Sequence, residues 1–218
     1  MTAEERLDPR LTKERTALVL FDVLEEYVHP KDPQKAAVLH ERRLLDHLRE
    51  LVAGARAAGL RIFYPAASHA PDGSDIVSNL RDTDMELRPW PNGVQPFRPQ
   101  VRRGEAGAAI AAGLEPAEGD VVVPKHRWSA FFQTSLELNL RTRGIDTIVL
   151  AGLSTDVGIA STAFTARDLD LGIVVVRDAC WSHRDGNHDF FMDRVFPRMA
   201  RVMNAADAVA LMQPAVHA

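Results

Sequence analysis

The chain has 218 residues, of which 46% are hydrophobic and 26% are charged, and its net charge is -4 at pH 7. This length and balance suit one globular α/β domain, and the mildly acidic charge argues against a nucleic-acid-binding surface. The N-terminus lacks a signal-peptide core and no apolar run is long enough to span a bilayer, so we expect no membrane partner and a cytoplasmic location. The single cysteine, Cys180, excludes an internal disulfide, which agrees with a reducing compartment.

Apolar runs alternate with helical periodicity along the first half of the chain. Residues 1–15 are charged and are predicted to form an N-terminal extension to a domain that covers residues 16–218. The elements predicted in order are a strand over 17–21, a helix over 34–58 that ends at Gly59, and a strand over 61–66. Residues 66–118 are rich in Pro, Gly and charge, and we predict a short helix near 104–112 among loops able to cover a site.

The second half of the chain repeats the alternation more regularly. Strands are predicted over residues 120–124, 147–153, 173–176 and 201–203, and helices within 129–144 and over 156–169, 187–199 and 205–212. Alternating strands and helices predict a single-domain, doubly wound, parallel six-stranded sheet with helices on both faces, which is a Rossmann-like fold. Ligands of such sheets bind at the carboxyl ends of the strands.

Two charged residues end apolar runs at this predicted edge. Asp22 follows the run 17–21, where partial burial would raise its pKa and suit acid–base chemistry; the alternative is an Asp that caps the following turn. Lys125 follows the run 121–124 and requires a counter-charge there, which Asp22 can supply; the alternative is a Lys that extends to solvent. If both belong to one pocket, we expect them within hydrogen-bond or ion-pair distance.

The turn from Ser154 to Gly158 lies between a predicted strand and a predicted helix. Backbone N–H groups at such a helix start, here those of Ser154 and Gly158, are suited to stabilise a developing oxyanion. Gly158 has no Cβ and is predicted to leave room for water or a substrate group; the alternative is a glycine kept for close helix–strand packing. Thr155 and Asp156 are predicted to cap the helix.

The remaining chemistry-bearing residues carry weaker signals. Cys180 does not begin a helix and is predicted to be a packed thiol. The histidines lack H-x-H and H-x-x-x-H spacing and no phosphate-loop motif is present, so we predict no metal and no organic cofactor. A loose metal site near strand ends is the less favoured alternative, with His29, His69 and His126 as its members. Three aromatic residues are candidate substrate-binding walls, with plain core packing as the alternative: Tyr27, Trp90 and Phe131.

Three segments resemble the isochorismatase-like hydrolases, also called the cysteine hydrolase superfamily. They are Lys125-His-Arg-Trp-Ser-Ala-Phe131, Leu140-Arg-Thr-Arg-Gly-Ile-Asp-Thr-Ile-Val-Leu150, and Gly152-Leu-Ser-Thr-Asp-Val-Gly158 with Ser161-Thr-Ala163 after it. The resemblance spans roughly residues 16–212. It implies that Asp22 and Lys125 are two members of a catalytic triad, that Gly158 occupies the position of the family's nucleophilic Cys, and that the Leu153–Ser154 peptide is cis.

The resemblance leaves the reaction open. The vinyl-ether hydrolases that act on isochorismate also lack the Cys and need only an acid and a water, whereas the turn Ser154-Thr-Asp156 looks more like that of the Cys-dependent amidases. The metal-binding loop of nicotinamide-cleaving relatives is not matched in residues 66–80. We favour a Cys-independent hydrolase of a small polar metabolite that uses Asp22, Lys125 and water. The alternatives are a pseudoenzyme that only binds a small molecule and a slow amidase in which Asp22 activates water. Family members are commonly oligomeric, so a homo-oligomer is expected.

Overall fold

The computed structural model describes residues 10–75 and 101–213, and six parallel strands form one sheet in it. The strands are β1 (Thr16–Phe21), β2 (Arg61–Ala67), β3 (Val121–Lys125), β4 (Thr147–Leu153), β5 (Gly172–Trp181) and β6 (Arg201–Met203). Their order is β3-β2-β1-β4-β5-β6, so the chain winds outward in both directions from β1 and β4. The predicted doubly wound, six-stranded parallel fold is confirmed, and its switch point lies between β1 and β4.

Helices cover the sheet and join its strands. They are α1 (Glu25–Val28), α2 (Pro33–Glu41), α3 (Leu44–Ala57), α4 (Leu136–Arg141), α5 (Ala160–Asp168), α6 (Asn187–Phe190) and α7 (Ala205–Met212). Helix α3 packs on β1, β2 and β5 and against α7, whereas α5 packs on β5. Right-handed crossovers that run in opposite directions from the centre place α3 and α5 on opposite faces.

Strand β1 is the centre of the core. All six of its residues are buried, because it is flanked by β2 and β4 and covered on both faces. A continuous apolar run is the sequence pattern of such a strand, which explains why β1 was predictable. The segment before β1 packs on the same body: Leu11 is fully buried, and its N–H donates to the carbonyl of Leu211 at 2.9 Å.

The helix predicted over 34–58 is wrong in one respect, because it is two helices. The break falls at Arg42 and Arg43, and Arg43 has a left-handed backbone with φ 53°. Helix α2 buries only Leu39, whereas α3 buries an apolar stripe, so a change of direction lets α3 alone lie on the sheet. Asp32 caps α2 by accepting from the N–H of Gln34 at 2.9 Å.

Other predicted elements differ in length or type. The segment 104–112 holds only a 3₁₀ turn, Ala106–Ala108, and the helix within 129–144 is the short α4. A π-helical turn, Thr155–Ile159, precedes α5, and α6 continues into π and 3₁₀ turns that end at Arg198. Strand β5 extends well beyond the predicted 173–176 and crosses a register shift against β4.

In the described ranges, no helix has both the length and the apolar character to cross a membrane.

Candidate active site

Asp22 and Lys125 meet at the carboxyl edge of the sheet. Lys125 Nζ lies 2.7 Å from Asp22 Oδ2, and the two side chains are 5% and 10% exposed, respectively. The residues follow β1 and end β3, so the Lys125 side chain extends across the end of β2, which lies between those strands. The expected contact is present, and the alternative in which Lys125 extends to solvent is wrong.

The Asp22 carboxyl group has a second buried partner. Its Oδ1 accepts from the N–H of Ala67, at the end of β2, at 2.8 Å. The backbone N–H of Asp22 donates to the carbonyl of Pro65 at 2.9 Å, and its φ of 47° is in the left-handed region that a non-glycine residue rarely adopts. Burial raises the pKa of Asp22, while Lys125 and the Ala67 N–H act in the opposite direction. The arrangement suits an acid whose conjugate base has a stabilising partner.

The Lys125 ammonium group is held from three sides. Besides Asp22, it donates to the carbonyl of Arg127 at 3.4 Å and lies 4.2 Å from the centroid of the Phe21 ring. A cation over an aromatic face gains electrostatic stabilisation, and more so where water is excluded. Phe21 therefore helps to fix the Lys125 ammonium group, which pairs with Asp22.

Gly158 is packed against the same aromatic ring. A Cβ built with ideal geometry on Gly158 would lie 2.0 Å from Cε1 and 2.4 Å from Cζ of Phe21. The space that a Gly158 side chain would occupy is filled by the Phe21 ring. The prediction that Gly158 leaves room there for water or a substrate group is therefore wrong. The alternative of close packing is the one that the structure shows.

The turn that contains Gly158 begins with an unusual peptide bond. The Leu153–Ser154 peptide is cis, as the resemblance implies. The Ser154 carbonyl then accepts from the N–H groups of Val157 and Ile159, at 3.3 Å and 3.1 Å. Gly158 is buried and Ser154 is half-buried at the head of the π-helical turn, at the carboxyl end of β4.

Two consecutive residues of α6 hold this turn in place. Asn187 Nδ2 donates to Asp156 Oδ2 at 2.6 Å, and the Ser154 hydroxyl donates to the other oxygen of Asp156. Thr155 Oγ1 lies 2.9 Å from Nδ1 of the buried His188. The predicted capping roles of Thr155 and Asp156 are wrong, because Ser154 occupies the N-cap position of the turn and Thr155 and Asp156 lie inside it.

A histidine cluster beside the Asp22–Lys125 pair was missed as a unit. His69 Nδ1 lies 3.3 Å from Asp75 Oδ1, and His126 Nε2 lies 3.3 Å from Asp75 Oδ2. The two imidazole rings are 5.9 Å apart and nearly perpendicular. Within residues 10–75 and 101–213, no group of three or more His, Cys, Asp or Glu is arranged to hold a metal ion. The positions of both histidines after strand ends were the available sequence signal.

Residues 16–207 match the model of the isochorismatase domain. The chain belongs to the isochorismatase family. That match covers the whole sheet and all three chain segments that supply Asp22, Lys125 and the Ser154–Gly158 turn.

Individual relatives of the isochorismatase family align over nearly the whole chain. The uncharacterized isochorismatase family protein YecD of Escherichia coli O157:H7 is 31% identical over 90% of this chain and 96% of its own length. An isochorismatase family protein from Burkholderia thailandensis has a similar structure, with a TM-score of 0.75, 31% identity, and coverage of 94% of this chain and 99% of its own. N-carbamoylsarcosine amidase from Thermoplasma acidophilum has a TM-score of 0.68 and 30% identity, with coverage of 88% and 96%. The chain is a hydrolase of this family.

The weaker candidates within this isochorismatase-family chain have different outcomes. Cys180 lies inside β5, 2% exposed, and burial raises the pKa of its thiol, so the packed thiol is confirmed. Phe131 is buried in the main core, and Tyr27 is half-buried against a small apolar cluster next to the end of β2. Their roles as substrate walls stay predictions, and Trp90 lies outside the described residues.

Proposed function

We propose that the chain hydrolyses a small polar metabolite without a thiolate, with Asp22 as the acid and base and Lys125 as its charge partner. The observation that carries this proposal is the Phe21 ring in the space where a side chain at residue 158 would begin. By resemblance, residue 158 is the nucleophile position of the family. The chain's single cysteine, Cys180, is buried in β5 with its thiol held protonated by burial, so it does not replace the missing nucleophile.

The acid–base step follows from the surroundings of Asp22. Burial favours the protonated carboxyl group, which donates its proton to the leaving end of the substrate. The carboxylate that forms lies beside Lys125, which stabilises the new negative charge. Water adds to the substrate carbon and supplies the proton that restores the acid. The amides of Ser154 and Gly158 are our candidates for polarising the substrate, since they begin the turn at the end of β4.

Acid-labile ethers, vinyl ethers among them, are the favoured substrate class. Their cleavage needs a proton donor and water, both of which this arrangement supplies, whereas amide cleavage gains most from a strong nucleophile. Carbamoyl amides are the second candidate class. The similarity to N-carbamoylsarcosine amidase, at 30% identity, favours them, and water activated at Asp22 would then attack the carbamoyl carbon.

A substrate screen with paired variants tests the proposal. Vinyl ethers, amides and carbamoyl compounds are assayed with the wild-type protein, with Asp22→Asn, and with Asp168→Asn, a change on the exposed end of α5. We expect Asp22→Asn to abolish turnover and Asp168→Asn to leave it unchanged. Near-normal rates for Asp22→Asn would make Asp22 structural. Binding at Asp22 without turnover of any compound would instead support the pseudoenzyme alternative.

A further inference from the structure

The backbone just before His69 is bonded to both members of the Asp22–Lys125 pair. It follows β2, the strand that lies between β1 and β3. The residue two before it, Ala67, donates its N–H to Asp22, and Ser68 donates its N–H to the carbonyl of Lys125 at 3.0 Å. The backbone that leads into His69 is therefore bonded to both charged residues. Its own N–H and carbonyl are bonded as well, to the strand-like segment at residues 101–103.

The imidazole of His69 has a defined orientation. Asp75 Oδ1 lies 3.3 Å from Nδ1 and also accepts from the N–H of Ala70 at 3.0 Å. A carboxylate only accepts, so Nδ1 carries the proton and Nε2 carries the lone pair. The other oxygen of Asp75 contacts His126, whose ring packs against the edge of the His69 ring. A histidine with one nitrogen held by a carboxylate and the other carrying a lone pair has the arrangement of a general base.

The charges around His69 favour its neutral form. The groups that act on it are Asp75, His126 and Lys125, and His69 in turn acts on Asp22. Burial lowers the pKa of His69, as do His126 and Lys125, while Asp75 opposes them. Burial has the opposite effect on the pKa of Asp22, which it raises. Both groups are thereby shifted toward their neutral forms, a carboxyl that holds a proton and an imidazole that lacks one.

We propose that His69 is a second proton-transfer group of this site, the general base that deprotonates the hydrolytic water. The role rests on the proposed function, in which water attacks without a thiolate. Nε2 of His69 takes one proton of the water as its oxygen bonds to the substrate carbon. Asp22 protonates the leaving group as its bond to that carbon breaks. The proton on His69 then passes to the Asp22 carboxylate, directly or through water, so both groups return to their starting forms.

Asp75 has a matching task in this scheme. The imidazolium that forms on His69 lies against the Asp75 carboxylate, which stabilises its positive charge and fixes the ring. Asp75 is therefore a positioning residue, and its loss is expected to change the pKa of His69 as well as the rate. This double effect separates a proton-transfer role from a purely structural one.

The pH dependence of turnover tests the proposal. The substrate is the compound that the wild-type protein turns over and Asp22→Asn does not. His69→Gln is expected to lower kcat by about 10²–10⁴-fold and to remove the limb that rises from acid pH, since a base must lose its proton to act. Asp75→Asn is expected to move that limb to lower pH, because the carboxylate raises the pKa of His69. His40→Gln, on the exposed side of α2, is the matched control and is expected to change neither.

Chemical rescue supplies a readout that a structural histidine would not give. Imidazole added to His69→Ala is expected to restore part of the rate in proportion to its neutral fraction, with thermal melts confirming that each variant folds. Wild-type kcat and an intact acid limb in His69→Gln would overturn the role of His69 while the loss in Asp22→Asn keeps the hydrolase proposal. Loss of rate without rescue or limb change would make His69 structural. An active Asp22→Asn, or a wild-type protein that turns over nothing, would overturn both proposals.

Discussion

The aromatic ring of Phe21 occupies the space in which a side chain at Gly158 would begin, with Cε1 2.0 Å from the ideal Cβ position. Phe21 is the last residue of β1 and Asp22 follows it directly, so two adjacent residues supply the proposed acid and the ring that fills the space beside Gly158. The same ring lies under the Lys125 ammonium group. Positions 21 and 158 are therefore matched to each other, and they are expected to respond jointly to substitution.

Substitution of Gly158 is expected to destabilise the fold. Gly158→Ala forces the Phe21 ring to move, which by analogy with overpacked cores costs about 1–3 kcal/mol of the free energy of unfolding. Phe21→Val opens the space, so the double variant is expected to be more stable than the sum of the single changes, by a coupling of about 0.5–3 kcal/mol. Urea unfolding of the four proteins measures this coupling. Additive effects would contradict the contact.

Alkylation of thiols is expected to leave any turnover unchanged. Cys180 is buried, its Sγ faces the carbonyl of Leu150, and burial keeps its thiol protonated. Iodoacetamide treatment followed by an activity assay checks this, with Cys180→Ser as the control. Inactivation that tracks modification of Cys180 and disappears in Cys180→Ser would refute the thiol-independent mechanism.

Removal of Lys125 is expected to move the pH dependence of turnover upward. Lys125→Met takes away the largest influence that lowers the pKa of Asp22, so that pKa rises further. An acid acts only while protonated, so the limb that falls at high pH shifts to higher pH, and kcat drops because the developing carboxylate loses its partner. Lys31→Met, an exposed lysine, is the control. An unchanged falling limb would mean that Asp22 does not set it.

His188 is expected to weaken the fold in acid. Burial lowers the pKa of His188 to about 4, against about 6.5 in the unfolded chain. Between these values only the unfolded state binds the extra proton. The contribution of neutral His188 to the free energy of unfolding is therefore retained above pH 6.5 and is lost as the pH falls toward 4. The loss is about 2 kcal/mol at pH 5. Urea unfolding at pH 7 and pH 5 should show a smaller difference for His188→Gln than for wild type or His40→Gln. Equal differences in all three would contradict a neutral, buried His188.

The fold was predictable because its central strands are read from local patterns. The buried run in β1 and the alternation of strands and helices require no knowledge of distant contacts, and the carboxyl-end rule then placed Asp22 and Lys125 at one edge. The break at Arg43 was missed because neither Gly nor Pro marks it, and its cause is the different burial of the helices α2 and α3 on either side.

The contents of the site were less predictable, because they depend on side-chain directions across the sheet. That Phe21 faces Gly158 follows from the register and packing of β1 against the turn after β4, which no local pattern shows. The links from the turn to Asn187 and His188 join residues more than 30 positions apart. His69 and Asp75 are close in sequence, but a His and an Asp six positions apart do not form the H-x-H or H-x-x-x-H spacing that marks a metal site.

The path of Lys125 across β2 also makes its contact with Asp22 depend on strand alignment. In β3, Val123 and Lys125 are buried, whereas Val122 and Pro124 are exposed. A slip of β3 by one residue against β2 would turn Lys125 to the opposite face and bring Pro124 inward. The electrostatic attraction of Asp22 for Lys125 therefore opposes such a slip in an edge strand of only five residues. A molecule in which β3 pairs out of register would lack the contact between Lys125 and Asp22, and under the proposed function such a misaligned molecule would be inactive.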